Sequence, residues 1–334
     1  MVLENVFLNN AFKKKYVFTL TVLYSIISIL LARFIFGSNS GIVSVMFLSM
    51  LLIPTLRIII KKEKQVEYSE KGFSFSHLIK NNRNLFEIYF LIFLGIFFTY
   101  LSFTFLLPML GFNVINIFRE QLFLDISLRG HAFDSSLFWS ILSNNWIVLV
   151  VCFLLGLITN DGAIFFVAWN ASAWGAIFGF RALNAGIASG SDPWTVILIL
   201  LSIVIWHTLI EGSAYILAAI SGSTISNNVI SRTKQISRFL YYFVVVGLIT
   251  FLLTIILQTR FILFNFVISL SLFLTWLYFM KTIFKDKQQE LIFQYNYWLF
   301  VIAIALLIIG VLLEVFVLSS SGVLNRIYDF SFSI

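Results

Sequence analysis

Long unbroken apolar runs separated by short polar breaks dominate this 334-residue chain. A helix needs roughly 20 mostly apolar residues to cross a bilayer core of about 30 Å. Nine stretches meet that requirement: 17–36, 42–60, 85–110, 138–158, 162–180, 194–220, 239–257, 261–280 and 297–318. They are continuous rather than alternating at every second residue, which excludes an outer-membrane barrel. The first run follows Lys13, Lys14 and Lys15, as the core of a signal peptide would. Its length is about twice that of such a core, so it reads as an uncleaved span. The pattern predicts an all-α, polytopic integral membrane protein of about nine transmembrane helices, within a range of seven to nine.

Composition supports the same class. Hydrophobic residues make up 60% of the chain, aromatics 18% and charged residues only 11%, against about 25% charged in soluble domains. Mean hydropathy is +0.99. A soluble enzyme and a disordered chain are both excluded. Cys152 is the only cysteine, which excludes a secreted domain built on disulfides. The net charge of +7 reads as a signal of orientation rather than of nucleic acid. With the N-terminus inside, 16 of the 22 basic residues fall on inside segments, every lysine among them. The outer set is Arg33, Arg119, Arg129, Arg181, Arg260 and Arg326. This predicts a multi-pass protein of the cell membrane with a cytoplasmic N-terminus. The short turn after residue 158 carries no basic residue of its own.

Four units follow along the chain. Residues 1–110 form an N-terminal three-span unit whose basic inside loop, 61–84, suits a short helix on the lipid surface. Residues 111–137 mix Phe112, Ile115, Ile117, Phe118 and Leu122 with Arg119, Glu120 and Asp125, as an amphipathic outside helix at the interface would. Residues 138–226 are a polar three-helix core, and 227–334 a C-terminal three-span unit. Tyr295, Tyr297 and Trp298 fall at headgroup level.

Candidate chemistry concentrates in the third unit. Asn144, Asn145, Asn170, Ser172, His207, Glu211 and Tyr215 lie at membrane depth and define an expected buried polar core. An acidic side chain at the bilayer centre costs roughly 2.5–3.5 kcal/mol, so it faces the protein interior and finds a partner. His207 and Glu211 are one helical turn apart on one face, which Tyr215 continues. Two readings stand side by side. The pair bonds itself or a neighbouring Asn and fixes helix register, or it binds an ion, relays protons or meets a substrate. Two ligands fall short of the three that a catalytic zinc needs. No metallopeptidase, nucleophile-elbow or P-loop motif is present. The chain is expected to be non-enzymatic, with no metal and no cofactor. Ala171, Gly175 and Gly179 recur every four residues, as do Ala214, Ala218 and Gly222. Small residues at that spacing let helix backbones approach closely, within the chain or across a homodimer.

The runs NNWIVLVVCFLLGL (144–157), GAIFFVAWNASAWGAIFG (162–179) and HTLIEGSAYILAAISG (207–222) resemble the stage II sporulation protein M family, in particular its archaeal branch. VLENVFLNNAFKKK (2–15), FLSMLLIP (47–54) and LLIIGVLLE (306–314) fit the same pattern. The chain departs from it at Thr159-Asn160-Asp161, at Ile210 in place of a proline, and at Gly222-Ser223. The missing proline predicts a straighter sixth span, and spans seven and eight exceed the usual count of the family. The resemblance implies a polytopic membrane core with buried Asn, His and Glu. The sporulation member looks like an anchor that gathers wall-cleaving enzymes during engulfment. The expectation is thus a non-enzymatic scaffold for an envelope or membrane-remodelling complex. The rival is a permease or an ion- or proton-coupled transporter that uses Glu211, His207 and Asn170. Expected partners are membrane lipid and other membrane or envelope proteins, not nucleic acid.

Overall fold

A chain that leaves water must satisfy its backbone hydrogen bonds within each segment, so apolar runs of this length become helices. The computed structural model describes residues 14–37, 40–63, 75–123, 135–159, 161–225, 287–320, 322, 326 and 327. It contains α1 (Lys14–Phe36), α2 (Gly41–Glu63), α3 (Phe75–Met109), α4 (Arg119–Phe123), α5 (Ser135–Thr159), α6 (Ala163–Ser189), α7 (Pro193–Ile225) and α8 (Lys287–Ser320). Six of these are long and apolar enough to cross a membrane, and Gly41–Arg57 of α2 is a shorter apolar helix. Seven of the nine expected spans thus coincide with described helices; the other two, 239–257 and 261–280, lie outside the described residues. Large apolar side chains such as Phe34, Leu198, Trp206 and Phe316 project from the outside of the bundle.

Two expectations change. Residues 75–84 are not a separate surface helix but the first turns of α3, which runs on without a break into the third span. In the 111–137 segment the described helix is the five-residue α4, preceded by turns at 110–118. Phe118, Ile117 and Val114 are buried there rather than laid on an interface. The ladder of an amphipathic helix yields because these apolar residues find the bundle itself to pack on. Phe118 meets Tyr100 of α3 edge-on, with ring centroids 5.5 Å apart. A side chain at Gly41 would collide with Glu120 and Gln121. The Glu120 carboxyl therefore lies at the start of α2, where the helix dipole favours negative charge.

Packing rests on the small residues. Gly175 and Gly179 of α6 seat directly on the α3 backbone at Phe97 and Leu101. Gly222 of α7 seats on Phe153 of α5, and Gly156 of α5 answers it against Ala219 and Ser223. Both stripes are thus consumed within one chain, and a homodimer through them would require the bundle to open. Rings fill the spaces between: Phe93 against Trp174, Phe97 against Phe178 and Phe153 against Phe300. The α7 helix has no internal proline and continues unbroken to Ile225.

Polar contacts at the helix ends sort the turns into two faces. At one face Arg57 of α2 donates from Nε and Nη2 to Asp161 Oδ2, at 2.9 and 2.8 Å. This brings a cation to the α5–α6 turn, which has none of its own. On the same face the Ser221 hydroxyl donates to the Asn296 carbonyl at 2.6 Å, so α7 ends where α8 begins. The opposite face holds the turn from α1 to α2, where Ser40 donates to the Ile117 carbonyl. It also holds the α6–α7 turn, where Trp194 packs on Phe105 at 4.8 Å. Gly190, with a φ of 66°, closes α6 in the left-handed conformation natural to glycine.

Candidate functional site

The α7 helix places His207, Glu211 and Tyr215 in a stack at one-turn spacing, and all three are buried, with 7%, 1% and 1% of their surface exposed. Glu211 lies about 27 Å of helix from the first residue of α7 and about 21 Å from the last. It therefore sits near the middle of the bundle. Aromatic rings pack against this face. Trp174 of α6 stacks on Tyr215 with centroids 6.0 Å apart, and the same indole meets Phe93 of α3 at 5.9 Å. Gly212 lies against the Phe93 ring, close enough to leave no room for a side chain.

The partner of Glu211 comes from α8. The Glu211 and Glu314 carboxyls lie within hydrogen-bonding reach of each other. Gly310 makes the approach possible. A Cβ there would lie 2.5 Å from Glu211 Cγ, so any larger residue would displace the carboxyl. Glu314 follows Gly310 by one turn on the same face of α8. The helices run antiparallel, and the Ser221–Asn296 bond fixes their register one end away. Glu314 thus reaches the depth of Glu211 even though it falls near the end of its own helix.

Among the described residues, three buried atoms around this pair have no hydrogen-bond partner: Glu211 Oε1, Tyr215 Oη and His207 Nδ1. The Tyr215 hydroxyl lies within electrostatic reach of Glu211, Glu314 and Cys152. An unpaired polar atom in an apolar interior costs about 1–3 kcal/mol. A cluster with three of them is poorly explained as a device for locking helices together. Chemically, two carboxyls can hydrogen bond to each other only if one carries a proton. The arrangement is therefore an acid pair, able to hold or pass on a proton, with a phenol and an imidazole along the same helix face.

The other expected site residues are distributed differently. The Asn170 amide donates to the Phe166 carbonyl of its own helix at 2.8 Å and is only half-buried. It turns its donor to the backbone rather than to a neighbouring helix. Ser172 is buried but likewise donates to its own helix, at Trp169. Asn145 is half-buried and Asn144 exposed on α5, so neither belongs to a buried core. The expected His–Glu–Asn site is instead a His–Glu–Tyr row completed by Glu314. Sequence reasoning passed over Glu314, although its signal was visible: an acidic residue in the last apolar run, one turn beyond a glycine. It also passed over the pairing of Arg57 with Asp161. Cys152 is buried, and His131 lies outside the described residues.

No curated protein and no solved structure matches the chain. A family model does match, over residues 114–259. That span takes in α4 to α7, including the His207–Glu211–Tyr215 face; α8, with Gly310 and Glu314, lies beyond it. The match carries the description "Stage II sporulation protein M" and supports, through this polar central segment, the assignment of the chain to that family.

Proposed function

We propose that this chain is a non-enzymatic, ion- or proton-coupled permease whose working site is the carboxyl pair within the bundle. One observation carries the reading. Glu211 and Glu314 meet deep among apolar helices, beside buried polar atoms that no other side chain satisfies. Ionisable residues at membrane depth are costly and commonly mark ion pathways and proton relays. Packing here has its own residues, the glycines of α5, α6 and α7. The test is solute flux into proteoliposomes across a panel of amino acids, sugars, nucleosides and inorganic ions, driven by a pH or sodium gradient. Gradient-driven uptake of at least one solute, abolished in both Glu211→Gln and Glu314→Gln, supports the permease. Absence of flux across the panel counts against it.

A second reading, a membrane scaffold that assembles an envelope or membrane-remodelling complex, rests on the resemblance to the sporulation family rather than on the site. In that case mild-detergent purification from the native host yields a reproducible set of partners. Glu211→Gln then weakens assembly without changing any flux.

A further inference from the structure

We infer that the ligand of the carboxyl pair is a proton, shared between Glu211 and Glu314. The inference deepens the permease reading by naming its ion, but the binding of a proton stands independently of transport. Three features of geometry carry it. The carboxyls lie within hydrogen-bonding reach of each other, and a bond between them requires a proton. Gly310 abuts Glu211 Cγ, so the Glu211 carboxyl has little freedom to swing aside for a cation that would need both oxygens. No group of three or more His, Cys, Asp or Glu is placed to hold a metal among the described residues. The unpartnered Tyr215 hydroxyl, itself 1% exposed, supplies an independent polar contact in the same neighbourhood.

Glu211 is enclosed and Glu314 half-buried on α8. A proton passes between the two carboxyls with one O–H bond forming as the other breaks and no change in redox state. Each packed element contributes its groups to this environment. On α7 these are His207 and Tyr215, and on α5 Cys152. The α6 helix contributes the Trp174 ring.

Infrared difference spectroscopy between acidic and alkaline buffer, on the purified full-length protein in detergent, tests this directly. The expected result is a protonated-carboxyl carbonyl band in the wild type that shifts in heavy water and falls on alkalinisation. It is altered in both Glu211→Gln and Glu314→Gln. Should either variant fail to fold, Glu211→Asp and Glu314→Asp, which keep the carboxyl but shorten its reach, should each shift the band, and an unmoved band in both would overturn the inference. A wild-type spectrum identical to those of both variants overturns the inference. So does a band that responds to added sodium, potassium or magnesium at constant pH, which would mark a cation site. The band without any solute flux would defeat the permease and leave the proton site standing. Flux without the band would defeat only the proton.

Discussion

At the scale of single residues, the molecule separates polar groups that serve the helix from polar groups that do not. Thr208, Ser213 and Asn170 each return a hydrogen bond to their own backbone one turn earlier. That habit is local and could be foreseen from residue type. His207 differs, since its Nδ1 is buried with no partner. Removing an orphaned buried polar group is nearly neutral or stabilising. His207→Leu should therefore leave the thermal midpoint in detergent unchanged or slightly raised while reducing gradient-driven flux; a large loss of stability would return His207 to a structural role. Glu211 was legible because an acid stands out in the middle of an apolar run. Glu314 was harder to place, because only the register of α7 against α8 brings it level with Glu211. That register depends on Ser221 and Asn296, 75 positions apart in sequence.

At the scale of elements, the long apolar runs made α1, α3, α5, α6, α7 and α8 readable, because length and continuity alone force a spanning helix. The surface segments were not readable in that way. Phe118 could equally have lain on lipid, and its place beside Tyr100 follows from how α3 ends. The small-residue stripes were visible, yet their partners, α3 for one and α5 for the other, were not encoded in spacing. Gly175→Leu and Gly222→Leu should each force a helix pair apart. Overpacking of this kind costs about 1–3 kcal/mol, and more where backbone is the obstacle. Size-exclusion chromatography and a lowered thermal midpoint check this, and an unchanged midpoint would mean that the helices do not meet there. The start of α7 carries a pH-dependent cap. The Thr195 hydroxyl and then the Thr195 backbone N–H hold the exposed Asp192 carboxyl below its ordinary range. A carboxylate held low stabilises the folded helix above its unfolded value of about 3.9. That contribution is lost as pH falls through the lower folded value. Asp192→Ala should accelerate amide exchange at Thr195 and Val196 at neutral pH, with Asp192→Asn intermediate. Equal exchange in all three proteins would deny the cap.

At the scale of the whole molecule, charge and topology agree on a two-faced bundle. Arg57, Lys80 and Arg83 gather at the end where Asp161 is neutralised, while Ser191 is exposed in the turn at the other end. The positive-inside rule predicts that the first face is the cytoplasmic one. Since Cys152 is buried and the only native cysteine, introduced cysteines report cleanly. An impermeant maleimide should label Ser191→Cys on intact cells and Lys80→Cys only after permeabilisation; the reverse order would invert the protein. Composition alone revealed the membrane, and the distribution of lysines proposed a direction. What neither could reveal was that a helix outside the family-like segment completes the buried acid pair. The proton-coupled permease stands or falls on that pair carrying protons in the membrane. The most direct measurement is proton uptake into pyranine-loaded proteoliposomes under a valinomycin-imposed potassium potential, negative inside. Wild-type protein should acidify the lumen faster than empty vesicles, and Glu211→Gln and Glu314→Gln should fall to the empty-vesicle rate. Equal rates for wild type, both variants and protein-free vesicles would contradict it.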